Sequence, residues 1–281
     1  MRDDVQDMAT SASAPAQTQG MGVRRFGRFN HLGTWTLAER ECRRFLAIWR
    51  QTLLAPAVTA GLFLVVFALA FGQARPDVMG LPFLQFLAPG LVMMTVIQQA
   101  FANTSSSIAS AKVQGNIVDT LMPPLSGGEL LAGYIAGGVA RSLFVGLPLV
   151  AAMTIFLGTG LAHPIWALVF LVLGGAFMGA LGILTGIYAT KFDQTAAISN
   201  FIITPLSFLS GTFYSVETVP GWMSVLLHWN PVFYLIDGTR HGILGTSDSS
   251  PWLGLAVAGA ATAAALALCW HWFRIGYRLK P

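Results

Sequence analysis

At 281 residues, with 54% hydrophobic and only 10% charged positions and a mean hydropathy of +0.64, the chain carries more apolar surface than one water-soluble core can enclose. A soluble domain is about 25% charged, so an ordinary soluble enzyme or binding module is excluded and the bilayer becomes the natural solvent. The net charge of +4 points to no nucleic-acid partner, because the basic residues are distributed as a membrane protein needs them. Cys42 and Cys269 form no CxxC pair, so no zinc or redox motif is expected and both read as free thiols; no metal site is predicted.

The first residues, 1–33, are polar and lack an apolar run of signal-peptide length; they read as a disordered cytoplasmic tail. Residues 34–51, TWTLAERECRRFLAIWRQ, place charges between two apolar clusters. That pattern suits an amphipathic helix lying at the membrane interface, although a plain cytoplasmic extension of the first span would look similar. A spanning helix needs about 20 apolar residues. Six stretches qualify, at 52–71, 86–110, 130–157, 165–189, 196–212 and 252–273, giving a six-span domain over 52–273 and a cytoplasmic tail over 274–281. The fold class is therefore an all-α integral membrane protein. Glycines cluster in the third and fourth spans (Gly133, Gly137, Gly138; Gly174, Gly175, Gly179, Gly182, Gly186), a packing signal for helices in lipid.

Lys and Arg fix the expected orientation. Eight arginines precede the first span (Arg2, Arg24, Arg25, Arg28, Arg40, Arg43, Arg44, Arg50), and Arg274, Arg278 and Lys280 follow the last. Lys112 and Lys191 fall in loops of that same side, against Arg75 and Arg240 on the other. Both termini are thus expected in the cytoplasm.

Three segments promise mechanism. Between the second and third spans, Gln114, Asn116, Ile117, Val118, Asp119, Leu121 and Met122 form a short amphipathic helix stopped by Pro123-Pro124, and Ser126 with Glu129 makes a capping pattern for the third span. Such a helix is either a grip for a cytoplasmic motor or a surface helix resting on head groups. Within the second span Gln99, Asn103 and Ser106 share one face, and Arg141 lies about 18 Å into the third span. These four residues read either as the wall of a translocation path or as inter-helix hydrogen bonding and anchoring. Third, the external stretch 210–245 is too aromatic for a solvated loop and is broken by Pro220 and Pro231 into pieces too short to span, which predicts a re-entrant or interfacial hairpin. Asp237 and Arg240 are spaced to pair within it.

The motifs within that stretch carry a family resemblance. Leu209-Ser210-Gly211-Thr212-Phe213-Tyr214, Val219-Pro220-Gly221-Trp222, Asn230-Pro231 and Asp237-Gly238-Thr239-Arg240 resemble the signature of ABC-2-type transporter permeases. Phe86-Leu87-Ala88-Pro89-Gly90 and Gly137-Gly138-Val139-Ala140-Arg141 fit as well, and the similarity runs in order from about Arg43 to Arg274. Bacterial permeases related to the nodulation-factor exporter subunit look most alike. The resemblance implies six spans after an interfacial helix, a coupling helix in the loop between spans 2 and 3, and a re-entrant hairpin before the last span at the outer face. It further implies two permease subunits, a homodimer in the simplest case, working in the bacterial inner membrane with two copies of a nucleotide-binding ATPase. That ATPase would hold ATP and Mg and push on the helix at 114–122, moving lipids, lipid-linked glycans or drugs outward.

No GxxxxGK[ST] phosphate loop occurs in the sequence, so energy must come from a partner. Two rival classes are an intramembrane acyl- or glycosyltransferase and an ion-coupled secondary transporter. The first would need a catalytic cluster at the membrane face, for which only Glu217, His228, Asp237 and His241 are candidates without a matching pattern; the second would need inverted repeats and charged midplane residues, which are not evident.

Overall fold

The computed structural model describes residues 29–71 and 77–279. The expected disordered tail lies outside them up to residue 28, as do Arg2, Arg24, Arg25, Arg28, Arg75 and Lys280 of the charge argument. The chain divides into two compact units, Met1–Asn30 and His31–Pro281, and all helices below belong to the second.

The architecture is helical, with one isolated bridge, Val78 to Leu81, as the sole β pairing among the described residues. In chain order the helices are α1 (His31–Leu46), α2 (Trp49–Phe71), α3 (Phe83–Val113), α4 (Ile117–Leu121), α5 (Gly127–Leu157) and α6 (Pro164–Tyr188). There follow α7 (Phe192–Ile198), a π-helical segment (Ser199–Ile203), α8 (Thr204–Leu209), a 3-10 turn (Val216–Thr218), α9 (Gly221–Trp229), α10 (Pro231–Leu244) and α11 (Pro251–Ile275).

Among the described residues five helices, α2, α3, α5, α6 and α11, are long and apolar enough to cross a membrane. The segment in which a further span is expected, 196–212, instead comprises α7, the π segment and α8 end to end over 192–209. The π segment widens the turn so that Thr204 Oγ1 donates to the Ser199 carbonyl, 3.0 Å away. The helix expected over 34–51 starts and stops earlier, at 31 and 46. A two-residue turn at Ala47 and Ile48 separates it from α2, secured where the Thr52 hydroxyl donates to the Phe45 carbonyl (3.2 Å). Ile48 to Gln51 therefore lie at or beyond the turn, not in α1.

The core is built around α3, whose residues from Phe86 to Ile97 are almost wholly buried. At 31 residues α3 and α5 each extend about 46 Å, well past a hydrocarbon core of about 30 Å. The surplus lets both helices project beyond the apolar layer, and α4 closes their junction. Ser126 caps α5 as the sequence predicts: its hydroxyl accepts from the Glu129 amide and its own amide donates to Glu129 Oε2 at 2.6 Å.

Close approach, not hydrophobic transfer, has to hold helices together in lipid. The glycine faces supply it. A Cβ at Gly186 would come within 2.9 Å of Ile108 and 3.0 Å of the Ser105 carbonyl, so α6 lies backbone to backbone on α3. On α5, Gly133 and Gly137 form the trough into which α1 settles: a Cβ at Gly133 would stand 2.6 Å from Leu37, and one at Gly137 would run into Glu41. The face of α1 turned to α5 is thus Leu37, Glu41 and Phe45, all buried, while Leu32 and Trp35 remain exposed on the other side. Substituting Gly133 and Gly137 together by Val should lift α1 off this trough at a cost of about 1–3 kcal/mol. Hydrogen exchange of the α1 amides should then accelerate about tenfold or more, with α6 unchanged.

Candidate functional site

Three polar regions lie along α3. At the end where α3 meets α1 and α4, the Glu41 carboxylate is fully buried and collects donors from two helices. Ser107 Oγ donates to Oε1 at 2.7 Å; the Arg40 and Arg44 guanidinium groups reach Oε1 and Oε2 at 3.2 and 3.1 Å. Arg44 also donates to the Asn103 side chain (3.0 Å) and carbonyl (2.6 Å) and to Ser106 Oγ (3.1 Å). Arg40 reaches back to Thr120 Oγ1 of α4 at 3.0 Å and to the Tyr134 hydroxyl at 3.4 Å. Burial opposes the charge on Arg40, but Tyr134 and Glu41 outweigh it and hold its pKa above the ordinary arginine value, so it is charged at any working pH. One buried carboxylate thus ties α1 to α3, and one arginine ties α1 to α4. Two members of the predicted polar face, Asn103 and Ser106, are engaged here.

On α4, Ile117 and Thr120 point inward and are buried, whereas Val118, Asp119 and Met122 are exposed, Met122 at 75%. Leu121 is half-buried. Gln114 and Asn116, expected within the helix, stand exposed before it, because Gly115 adopts a left-handed φ of 75° that ends α3 and leaves Asn116 as the residue preceding the first turn.

The other two members of the predicted path, Gln99 and Arg141, lie elsewhere. Arg141 Nε donates to Gln99 Oε1 at 3.0 Å, and both line a cleft of about 350 Å³ between α2, α3 and α5.

The third region lies at the opposite end of α3. Pro220 precedes α9, and Asn230 forms the corner between α9 and α10: its side chain accepts from the Val232 amide (3.0 Å) and donates to Ser210 Oγ (2.8 Å), with Pro231 opening α10. Helix α10 is buried nearly all round. Asp237 and Arg240 pair as the spacing predicts, at 3.5 Å, and Asp248, which the sequence reading passed over, completes a triad at 3.4 Å from Arg240. Asp237 accepts from the amides of Asp248 (2.8 Å) and Ser249 (2.9 Å), and Arg240 donates to the Gly211 carbonyl (2.8 Å) while its guanidinium lies 4.0 Å from the Phe86 ring. The triad pins α10 to the start of α3, to the chain after α8 and to the loop before α11. Phe213 stacks on Phe208 with centroids 5.2 Å apart; the Tyr214 hydroxyl donates to the Leu209 carbonyl; Trp222 is 68% exposed.

Residues 33–244 match the family described as ABC-2 type transporter. The chain belongs to that family. It is 37% identical, over 86% of its length and 94% of the relative's, to the inner membrane transport permease YadH of Escherichia coli K12. It is 27% identical over 66% of each chain to the daunorubicin resistance ABC transporter permease protein DrrB1 of Streptomyces coeruleorubidus, and 26% identical over 71% of its length and 81% of the relative's to nodulation protein J of Sinorhizobium fredii. The protein is accordingly a multi-pass inner membrane protein and the membrane subunit of an ABC transporter, a class of permease that works with an ATP-binding-cassette partner.

Removing one partner of a buried ion pair leaves its counter-charge uncompensated. Arg240→Met should therefore destabilise the protein by about 3–5 kcal/mol, seen as a large drop in the detergent-solubilised Tm. Adding Asp237→Asn and Asp248→Asn to the same variant should recover part of the loss.

Proposed function

We propose that the chain is the permease of an exporter that moves an amphipathic substrate (a lipid, a glycolipid or polysaccharide, or a drug-like molecule) out across the inner membrane. Two copies, a homodimer in the simplest arrangement, would work with two ATPase subunits that hold ATP and Mg. The observation that carries the proposal is α4: a short helix between two helices of 31 residues, with Ile117 and Thr120 turned inward and Val118, Asp119 and Met122 offered to a partner.

In this reading α1 (His31–Leu46) lies on the cytoplasmic interface after a cytoplasmic N-terminal tail, and the six-span domain runs from α2 to α11. The segment 192–209 supplies the fifth span in chain order, α11 the sixth, and both termini are cytoplasmic. Exposed Leu32 and Trp35 on α1 support contact with lipid. The α9–α10 pair is then a re-entrant hairpin at the outer face, supported by the burial of α10 and by the exposure of Trp222 and Trp229, a residue type that favours the membrane interface. The name of the Streptomyces relative, a drug-resistance permease, supports the outward direction.

Mechanically, closure of the ATPases would displace α4; Arg40 passes the displacement to α1 through Thr120, and Glu41 and Arg44 pass it to α3. Combining Val118→Glu with Asp119→Arg should leave membrane insertion intact and reduce co-purification of the ATPase at least tenfold. Unchanged co-purification would refute α4 as the docking element.

A further inference from the structure

The cleft between α2, α3 and α5 has a chemical gradient along its length. Near the beginning of α2 it is lined by Gln51, Gln98, Gln99 and Arg141. Toward Phe63, about 18 Å along α2 from Gln51, the lining becomes mostly apolar, with Ala60, Phe63, Leu91 and Met94 interrupted by Thr59 and Thr95.

Arg141 is the unusual member. Its Nε is used by Gln99, but neither Nη nitrogen has a hydrogen-bond partner among the described residues, and neither is sealed from the cleft. No carboxylate pairs with it among the described residues, and the charge that bears on it most, Arg44, has the same sign. Arg44 has its own carboxylate in Glu41, and Arg240 has two. A cation held inside a spanning helix without a counter-ion is costly in hydrocarbon, and two parallel N–H donors suit the oxygens of a phosphate or carboxylate.

We infer that this cleft binds an anionic amphiphile, its phosphate or carboxylate on Arg141 with Gln98 beside it and its hydrocarbon laid along Phe63, Leu91 and Met94. The inference rests on the exporter reading and narrows it: the substrate class carries a negatively charged head and an apolar chain, which disfavours cationic drugs. Helix α2 bounds the cleft on one side and is itself little covered by the rest of the protein, with Leu54, Val58 and Leu62 exposed, so a chain could enter sideways from lipid.

The test is binding of radiolabelled dodecyl phosphate to the full-length protein in phosphatidylcholine nanodiscs, by scintillation proximity. Wild-type protein should bind it, Arg141→Gln should weaken binding about tenfold or more, and Arg141→Lys, which keeps the charge but loses the fork of parallel donors, should fall between the two. Dodecyltrimethylammonium and, at equal concentration, inorganic phosphate should compete poorly. Equal binding by Arg141→Gln, or competition by the cationic amphiphile as strong as by unlabelled dodecyl phosphate, would overturn the inference. Equal competition by inorganic phosphate would overturn the amphiphile in favour of a free anion. Should Arg141→Gln fail to give monodisperse protein, the wild-type competition series decides. ATPase association scored on the same preparation separates the two readings: an associated ATPase without dodecyl phosphate binding sinks only this inference, and a missing ATPase counts against the exporter itself.

Discussion

A helix surrounded by lipid gains no hydrophobic free energy by moving against another helix, because acyl chains are as apolar as leucine. What remains is contact at short range and the closure of polar groups that hydrocarbon will not solvate. This constraint explains why α3 is both the most buried of the five long helices and the one with the polar run. It meets α6 across glycines that permit backbone contact, and Gln85, Gln99, Thr104, Ser107 and Lys112 each reach a partner outside α3. Thr104 donates to the Gly179 carbonyl at 2.8 Å, and Lys112 caps the end of α6 through the Ala189 carbonyl at 2.7 Å. The two ends of α3 are then closed by charge clusters of opposite design. Near α1 a single carboxylate sits among arginines; near α10 a single arginine sits among carboxylates.

Much of this was legible in the sequence because the signals are local. Apolar length set all five long helices to within three residues at either end, with α2, α3 and α5 each beginning three residues early. Ser126 and Glu129 announced the cap of α5, and Pro220 and Pro231 announced α9 and α10. The Asp237–Arg240 pair followed from helical spacing alone. Where partners lie far apart in the chain, the sequence was silent. Glu41 sits among four charged neighbours in a segment that reads as a solvated face; only the glycine trough on α5, nearly a hundred residues later, turns it inward. The four polar residues grouped as one path divide because α1 covers Asn103 and Ser106 and stops short of Gln99. Asp248 stands in a polar loop, and nothing local distinguishes it from a solvated residue.

The arrangement suggests how a push at one end is felt along the molecule. Helices α3 and α5 are long levers whose projecting ends share α1 and α4. Buried arginine–carboxylate contacts resist sliding better than apolar packing does, since a shift leaves a charge unanswered. The π segment after α7 and the prolines within α2, α3 and α5 (Pro56, Pro89 and Pro148) are where helices yield most easily, so motion entering at α4 would be expressed at those points while the Arg240 triad keeps α10 fixed to the start of α3.

The central claim is that force enters through the exposed face of α4. Site-directed cross-linking tests it most directly: Val118→Cys, paired with cysteines engineered across the surface of the ATPase subunit, should form an intersubunit disulfide in membranes, whereas Trp229→Cys on α9 should form none. Cross-linking at residue 229 with none at 118 would contradict the account.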